Sequence, residues 1–178
     1  MKHLSLLPLA AFLAGGTFAA EVARDIGFHE PVRSNFTESE WVETKVAPPA
    51  FPKDADLVEF HVGANTANRF YIDGSTLSVG GDGIVRYALV VRTAGGATNV
   101  THEGMRCETG EYKLYASGRA DGTWALSRTD AWRPIENKLA NRHHAALNRD
   151  LFCPAGARIG SAEEGRDALM RGKHPRAP

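Results

Sequence analysis

Ile84-Val85-Arg86-Tyr87-Ala88-Leu89-Val90-Val91-Arg92-Thr93 is the stretch that decides the fold of this chain, because most of its residues are β-branched or aromatic. Residues of these types favour extended strands. Apolar side chains occupy odd and even positions alike, so both faces of the strand need cover. We therefore expect it to be central in a sheet. Gly95-Gly96 then predicts a hairpin that returns the chain over residues 97–107.

A turn centred between Gly95 and Gly96 predicts the register of this hairpin. One face then carries Val85, Tyr87, Leu89 and Val91 with Val100, His102 and Arg106. The other face carries Ile84, Ala88 and Val90 with Met105 and Cys107. Arg86 lies diagonal to Glu103 in this register, which predicts a structural ion pair between them.

Weaker strand patterns lie on both sides of the hairpin. Alternating or β-rich segments bounded by glycine turns occur at 57–62, 69–73, 76–79, 111–118 and 123–127. The sequence therefore predicts an α+β fold, with an antiparallel β-sheet of about five to seven strands and one main C-terminal helix packed on it.

The main helix is predicted over residues 138–151, with Asn137 as its N-cap. Its apolar face recurs every four residues, at Leu139, His143, Leu147 and Leu151. We expect this helix to cover the sheet face that carries Met105 and Cys107. Ser161 and Glu164 have the spacing of a capping box and predict a short second helix that ends near Met170. Residues 171–178 are expected to be a disordered tail.

The two cysteines, Cys107 and Cys153, predict one disulfide if the chain matures in an oxidising compartment. Closing a loop of about 45 residues stabilises a fold by about 4 kcal/mol in the chain-entropy model. The alternative is a pair of free or metal-binding thiols. No second cluster of ligands lies near either cysteine in sequence, and no HxxxH, HxH or CxxC spacing occurs, so we expect no metal site.

The N-terminus has the pattern of a secretory signal peptide. Lys2 precedes an apolar run over residues 4–13, and Thr17 and Ala19 are the small residues of a cleavage site. The run is too short to span a bilayer, which takes about 20 residues. We therefore expect a signal peptide over 1–19 and a periplasmic or secreted mature protein with no transmembrane segment.

Three further parts are expected in the mature chain. Residues 20–56 would form an extended arm held against the domain by Trp41, Phe51 or both, since the prolines at 48, 49 and 52 exclude helix and inner strand. A flexible linker is the alternative for this segment. Residues 57–155 would form the disulfide-closed domain, and 156–178 the short helix and tail.

Composition excludes some partners and cofactors. The 21 basic and 21 acidic residues balance, so the chain has no general attraction for nucleic acid. No phosphate loop, dinucleotide fingerprint or nucleophile elbow occurs, and we expect no cofactor. Scattered aromatic residues suit sheet packing, with a stacking platform for sugar or peptide as the alternative.

A family resemblance rests on several short motifs in order. These are Phe70-Tyr71-Ile72-Asp73, Asp82-Gly83-Ile84-Val85-Arg86-Tyr87, Glu103-Gly104-Met105-Arg106-Cys107, Glu111-Tyr112-Lys113-Leu114-Tyr115-Ala116 and Trp132-Arg133-Pro134-Ile135. Over about residues 36–153 the chain resembles the cryptic neisserial protein-like family of exported proteobacterial proteins. That family has no established biochemical function, so the resemblance implies no catalytic residues.

A weaker likeness connects the chain to the surface-adhesin protein E family. Tyr71-Ile72-Asp73, Cys107 and Cys153 occur in the same order as in those small exported domains. The likeness implies a sheet-plus-helix fold and binding of host extracellular ligands. The lipid-anchoring cysteine of that family does not occur here.

Three functional hypotheses follow. The first is a non-catalytic exported domain that binds an unidentified envelope or extracellular partner, with a homodimer left open and with His102 and Arg106 as binding candidates. The second is an adhesin-like surface or secreted ligand binder. The third is a small periplasmic hydrolase that uses His102, Glu103 and Arg106, which the predicted register weakens by placing Glu103 on the opposite face.

Overall fold

The fold was determined as a computed structural model, which describes residues 40–64, 66–138 and 141–178. The predicted signal peptide and the first part of the arm lie outside these residues. Eight strands form one antiparallel sheet within the described part of the chain. The strands are β1 (Leu57–Phe60), β2 (Arg69–Asp73), β3 (Ser78–Val79), β4 (Ile84–Arg92), β5 (Thr98–Arg106), β6 (Glu111–Gly118), β7 (Trp124–Leu126) and β8 (Arg133–Pro134).

The order across the sheet is β1-β2-β4-β5-β6-β7, with β3 paired to β4 and β8 paired to β6. The sequence-based expectation of an antiparallel sheet with a C-terminal helix is confirmed, with more strands than the five to seven expected. A second helix also occurs where the Ser161 and Glu164 spacing predicted a short one. Residues 84–90 are all buried, and β4 has partners on both sides. The prediction that this strand is central and covered on both faces is therefore confirmed.

The predicted hairpin register is wrong by one residue. Ile84 pairs with Arg106 and Tyr87 pairs with Glu103. The turn is a three-residue loop, closed by a hydrogen bond from Thr93 N to Ala97 O, with Gly96 at a φ of 86°. A loop with one residue in the left-handed region shifts every pairing relative to a two-residue turn.

The shifted register defines two faces of the sheet. The face that we call the helix face carries Val85, Tyr87, Leu89, Glu103 and Met105, and the opposite face, which we call the arm face, carries Arg86, Ala88, His102 and Gly104. The core lies between the helix face and the helices, where Met105 and Leu147 are fully buried. The helices therefore cover the face with Met105 and Cys107, as the sequence predicted, but that face carries Val85 and Tyr87 rather than Ile84 and Ala88.

The main helix begins later than the sequence predicts. It comprises α1 (Arg142–Ala146), which continues without a break as a π-helix (Leu147–Phe152). β8 pairs with β6 and Ile135 N donates to Gly110 O, so the chain is still extended along the sheet edge at this point. Asn141 rather than Asn137 therefore occupies the N-cap position of α1, and its side chain makes no capping hydrogen bond.

A disulfide joins the two cysteines, with Cα atoms 5.4 Å apart. Cys107 directly follows β5 and Cys153 directly follows the π-helix. The bond connects the end of the main helix to the end of a central strand, as predicted.

The C-terminal segment, for which the sequence predicted a short helix and a disordered tail, makes contacts with the rest of the domain. Helix α2 (Ala162–Arg171) has Ser161 as its N-cap, whose hydroxyl accepts a hydrogen bond from Glu164 N. Beyond α2, His174 is buried, its backbone N–H donates to Asp150 O, and its Nε2 lies 2.9 Å from Glu164 Oε1. The sequence did not reveal these contacts because a single histidine among polar residues carries no periodic signal.

Candidate functional site

The chain from Glu40 to Lys53 has neither helix nor strand and lies along the arm face of the sheet. It makes side-chain contacts with the sheet at both ends. Trp41 Nε1 donates to Asp82 O at 2.8 Å, and Trp124 Nε1 donates to Pro49 O at 2.9 Å. Phe51 packs against the Trp124 ring with centroids 5.2 Å apart. Of the predicted arm over residues 20–56, residues 40–53 are the described ones before the 3-10 turn, and from here on the arm means residues 40–53.

The carboxylate of Glu43 is the most densely bonded group of the arm. It accepts hydrogen bonds from Lys113 Nζ at 2.9 Å, Tyr115 Oη at 2.9 Å and Trp132 Nε1 at 3.2 Å. Burial raises the pKa of Tyr115, and its bond to Glu43 raises it further. The phenol therefore stays protonated and acts as a donor to the carboxylate.

A buried ion pair lies beneath Thr44, the next residue of the arm, and bonds to its backbone. Arg86 Nη2 donates to Asp82 Oδ2 at 2.6 Å and to Thr44 O at 2.9 Å, and Thr44 N donates back to Asp82. Burial would raise the pKa of Asp82, but the bonds from Arg86, Thr44 N and Ile84 N outweigh burial and lower it to about 2. The Asp82 carboxylate and the Arg86 guanidinium therefore both stay ionised, and their opposite charges balance each other beneath the arm.

A cleft of about 370 Å³ opens between the arm and the β6–β7 region. Its lining includes Glu43, Val46, Lys113, Tyr115, Leu126 and Asp130. The Lys113 side chain is 5% exposed and pairs with Glu43 and with Asp130, whose own side chain is 96% exposed. These bonds raise the pKa of Lys113 against the opposing effect of burial, so the ammonium stays charged.

The rim of this cleft is apolar. The described residues include four exposed large apolar side chains, Val42, Val46, Leu126 and Met170. Val46 and Leu126 line the cleft, and Val42 belongs to the same arm. The cleft therefore combines a charged floor with apolar edges that are open to solvent.

The predicted ion pair between Arg86 and Glu103 does not form. Arg86 lies on the arm face and pairs with Asp82, whereas Glu103 lies on the helix face with its Oε2 2.8 Å from His144 Nε2. The one-residue error in register is the reason, because it moves Glu103 opposite Tyr87 and away from Arg86.

The side chains of Glu103 and His144 are each only 5% exposed. Burial would raise the pKa of Glu103, but the bonds from His144 and from the Thr101 hydroxyl outweigh it and lower the pKa. The Tyr112 ring stacks on His144, with centroids 3.7 Å apart. This pair is enclosed between sheet and helix, where a substrate has no access.

The other predicted site residues lie on the arm face but apart from Glu103. His102 is buried beside the rings of Tyr115 and Trp124. The Arg106 guanidinium lies 4.0 Å from the centroid of the Trp41 ring. The structure does not bring His102, Glu103 and Arg106 together as a hydrolase would require, because neighbouring strand residues point to opposite faces.

Sequence reasoning missed the groups that form the cleft. Glu43 is one of several acidic residues close together in the chain, so nothing in the sequence distinguishes it from its neighbours. Lys113 lies in a strand, and its charge alone does not indicate that its partner is 70 residues away. The aromatic residues were predicted to be packing groups, with a stacking platform as the alternative, and neither prediction places Tyr115 and Trp132 on the Glu43 carboxylate. Among the described ranges, no cluster of three or more His, Cys, Asp or Glu side chains could hold a metal ion. No helix in this part of the chain has the length and apolar character to cross a membrane.

Comparison with known proteins gives one finding. The family described as CNP1-like matches residues 36–170, about three-quarters of the 178 residues. The chain belongs to the CNP1-like family. This confirms the resemblance to the cryptic neisserial protein-like family that the sequence motifs indicated. The CNP1-like match includes the arm, the sheet and nearly all of α2. No curated protein and no solved structure matches the chain.

Proposed function

We propose that this CNP1-like protein is an exported, non-catalytic binding domain of the cell envelope and that its ligand binds in the cleft between the arm and the sheet. The observation that carries the proposal is the apolar rim of Val46 and Leu126 above the charged pair of Lys113 and Glu43. Exposed apolar groups around a concave site are typical of binding surfaces.

The composition of the cleft indicates the kind of ligand. An apolar body would cover Val46 and Leu126, and a polar or charged end would reach Lys113 or Asp130 at the floor. The non-catalytic part of the proposal is supported by the separation of the candidate residues: Glu103 and His144 are enclosed on the helix face, and His102 is packed between aromatic rings on the other.

A dye with this composition tests the cleft directly. The probe 8-anilino-1-naphthalenesulfonate has an apolar aromatic body and one anionic end. We expect saturable fluorescence enhancement with the disulfide-bonded protein at pH 7, and an affinity at least about fivefold lower in the double variant Val46→Ser/Leu126→Ser, a loss of about 1 kcal/mol.

Met170→Ser is the matched control, because the Met170 side chain is 70% exposed and that of Leu126 is 71% exposed. The control should leave the affinity unchanged. The proposal is wrong if the double variant binds the dye as wild type does, if both variants lose the same affinity, or if the wild-type protein shows no saturable binding.

Export is tested separately by mass spectrometry. Expression of the full-length gene in a Gram-negative host should give a protein of residues 20–178 in the periplasmic fraction, with a mass two hydrogen atoms below that of the dithiol form. An uncleaved chain with two alkylatable thiols in the cytoplasmic fraction would contradict export.

A further inference from the structure

We propose that a second site, between Arg106 and Arg158, binds a small tetrahedral oxyanion of the phosphate or sulfate class. The two arginines line one cavity of about 200 Å³. Drug-sized ligands occupy pockets of about 300–1,000 Å³, so this cavity suits a small ion. It lies beside the disulfide and does not share a lining residue with the cleft between the arm and the sheet.

Arg106 is held in place while part of its donor capacity is unused. Its guanidinium stacks on the Trp41 ring, 4.0 Å from the centroid, and its side chain is 20% exposed. Its Nε is buried without a hydrogen-bond partner among the described residues. A guanidinium fixed by stacking has little rotamer freedom left to lose when an anion binds.

Arg158 completes the pair from the loop that precedes α2. Its Nη1 donates to the neighbouring carbonyl of Ile159 at 3.2 Å, and no carboxylate of the described residues lies within 4.0 Å of its guanidinium. A Cβ built on Gly83 would lie 3.7 Å from Arg158 Nε, so this glycine leaves room beside the guanidinium.

The two carboxylates that line the cavity do not cancel the two guanidinium charges. The Asp82 side chain is 1% exposed, and its charge is balanced by Arg86 together with two backbone N–H donors. Glu108 is 78% exposed, and its carboxylate lies 3.6 Å from Arg106 Nη2, beyond ordinary hydrogen-bond distance.

The cavity therefore has two guanidinium groups and one loosely associated carboxylate. Guanidinium groups bind the oxygens of phosphate or sulfate through parallel hydrogen bonds, which makes this the expected class of ligand. Glu108 would be the group that such an anion displaces from Arg106.

Calorimetric titration with inorganic phosphate tests the inference on the disulfide-bonded protein at pH 7. We expect Arg158→Gln to weaken binding at least about tenfold and Glu108→Gln to tighten it severalfold. Both side chains are exposed, so neither variant should lose the fold. Arg171→Gln is the control, because Arg171 is also exposed and pairs with Asp167 elsewhere on the surface.

A second experiment uses phosphatidylcholine vesicles with and without phosphatidic acid. Phosphate binding that depends on Arg158 supports a free anion, and binding only to phosphatidic acid vesicles that depends on Arg158 supports a lipid headgroup. The inference is overturned if neither probe binds, or if Arg158→Gln and Arg171→Gln behave alike. Neither outcome alters the dye experiment on the cleft, because the variants do not touch it.

Discussion

His102 and Glu103 are adjacent in β5, yet their environments have little in common. His102 faces the arm and packs between aromatic rings, while Glu103 faces the helix and pairs with His144. Burial, and then the charge of Arg86, lower the pKa of His102 to about 4. Burial also lowers the pKa of His143 to about 4, where its ring stacks on Phe70. Both histidines are therefore neutral in the folded protein at neutral pH.

These two histidines predict a loss of stability in mild acid. Their pKa in the folded state is below the value of about 6.5 in the unfolded chain, so the unfolded state takes up protons first as the pH falls. The free energy of unfolding should decrease between about pH 6.5 and about pH 4, by at most about 1.4 kcal/mol per pH unit for each histidine. Urea unfolding at several pH values measures this slope.

The variant His102→Gln should flatten this pH dependence, because it removes one of the two histidines whose pKa is lowered. Equal slopes in His102→Gln and wild type would show that His102 does not titrate in the expected way. The lowered pKa of Glu103 adds a further loss of stability as the pH falls below the ordinary pKa of a glutamate and its carboxylate is protonated.

At the scale of single residues, sequence reasoning predicted the two bonded cysteines but not the partners of the charged groups. Two cysteines in a chain with the pattern of a signal peptide are expected to form a disulfide, so the pair could be inferred. The partner of Arg86 depends on whether residue 103 or residue 82 comes within reach, and a one-residue change in register decides this. The partners of Glu43 come from residues 70 to 89 positions away, a separation that no local pattern reports.

At the scale of elements, an irregularity in β6 shapes the arm face. The pairing of β5 with β6 shifts between His102 and Glu103, so that Tyr115 is the extra residue of β6. A bulge re-aims a side chain. Here the Tyr115 ring lies over Gly104, where an added Cβ would come within 2.5 Å of Tyr115 Oη and 2.9 Å of Ile84 Cγ2.

The close approach at Gly104 predicts that Gly104→Ala destabilises the protein. The methyl group would displace Tyr115 from its bond with Glu43, at a cost of about 1–3 kcal/mol. Gly81→Ala is the matched control, because an added Cβ there meets no atom within 4 Å. Thermal unfolding compares the two variants, and equal melting temperatures would contradict this account of the bulge.

The helix and the hairpin show why element boundaries were harder to predict than element types. The four-residue apolar spacing indicated a helix, but only the pairing of β8 with β6 explains why that helix does not begin at Lys138. Gly95-Gly96 indicated a turn, but a glycine pair is compatible with loops of two or three residues. The choice between them depends on tertiary packing of the two faces.

At the scale of the whole molecule, the two faces of the sheet have different roles. Its helix face holds the hydrophobic core and the disulfide, which fix the domain. Its arm face carries an extended segment held by side-chain contacts, with a cleft at one edge. The sequence predicted the sheet and the C-terminal helix because both follow from hydrophobic patterning. The cleft could not be predicted, because it is a gap between segments distant in sequence.

Mapping the dye by two-dimensional NMR on the uniformly ¹⁵N-labelled protein tests binding in the cleft most directly. The account predicts amide shift changes concentrated at Val46, Tyr115, Leu126 and Ser127, which all line the cleft. Changes centred on Met170, or the absence of a localised set of changes at saturating dye, would contradict it.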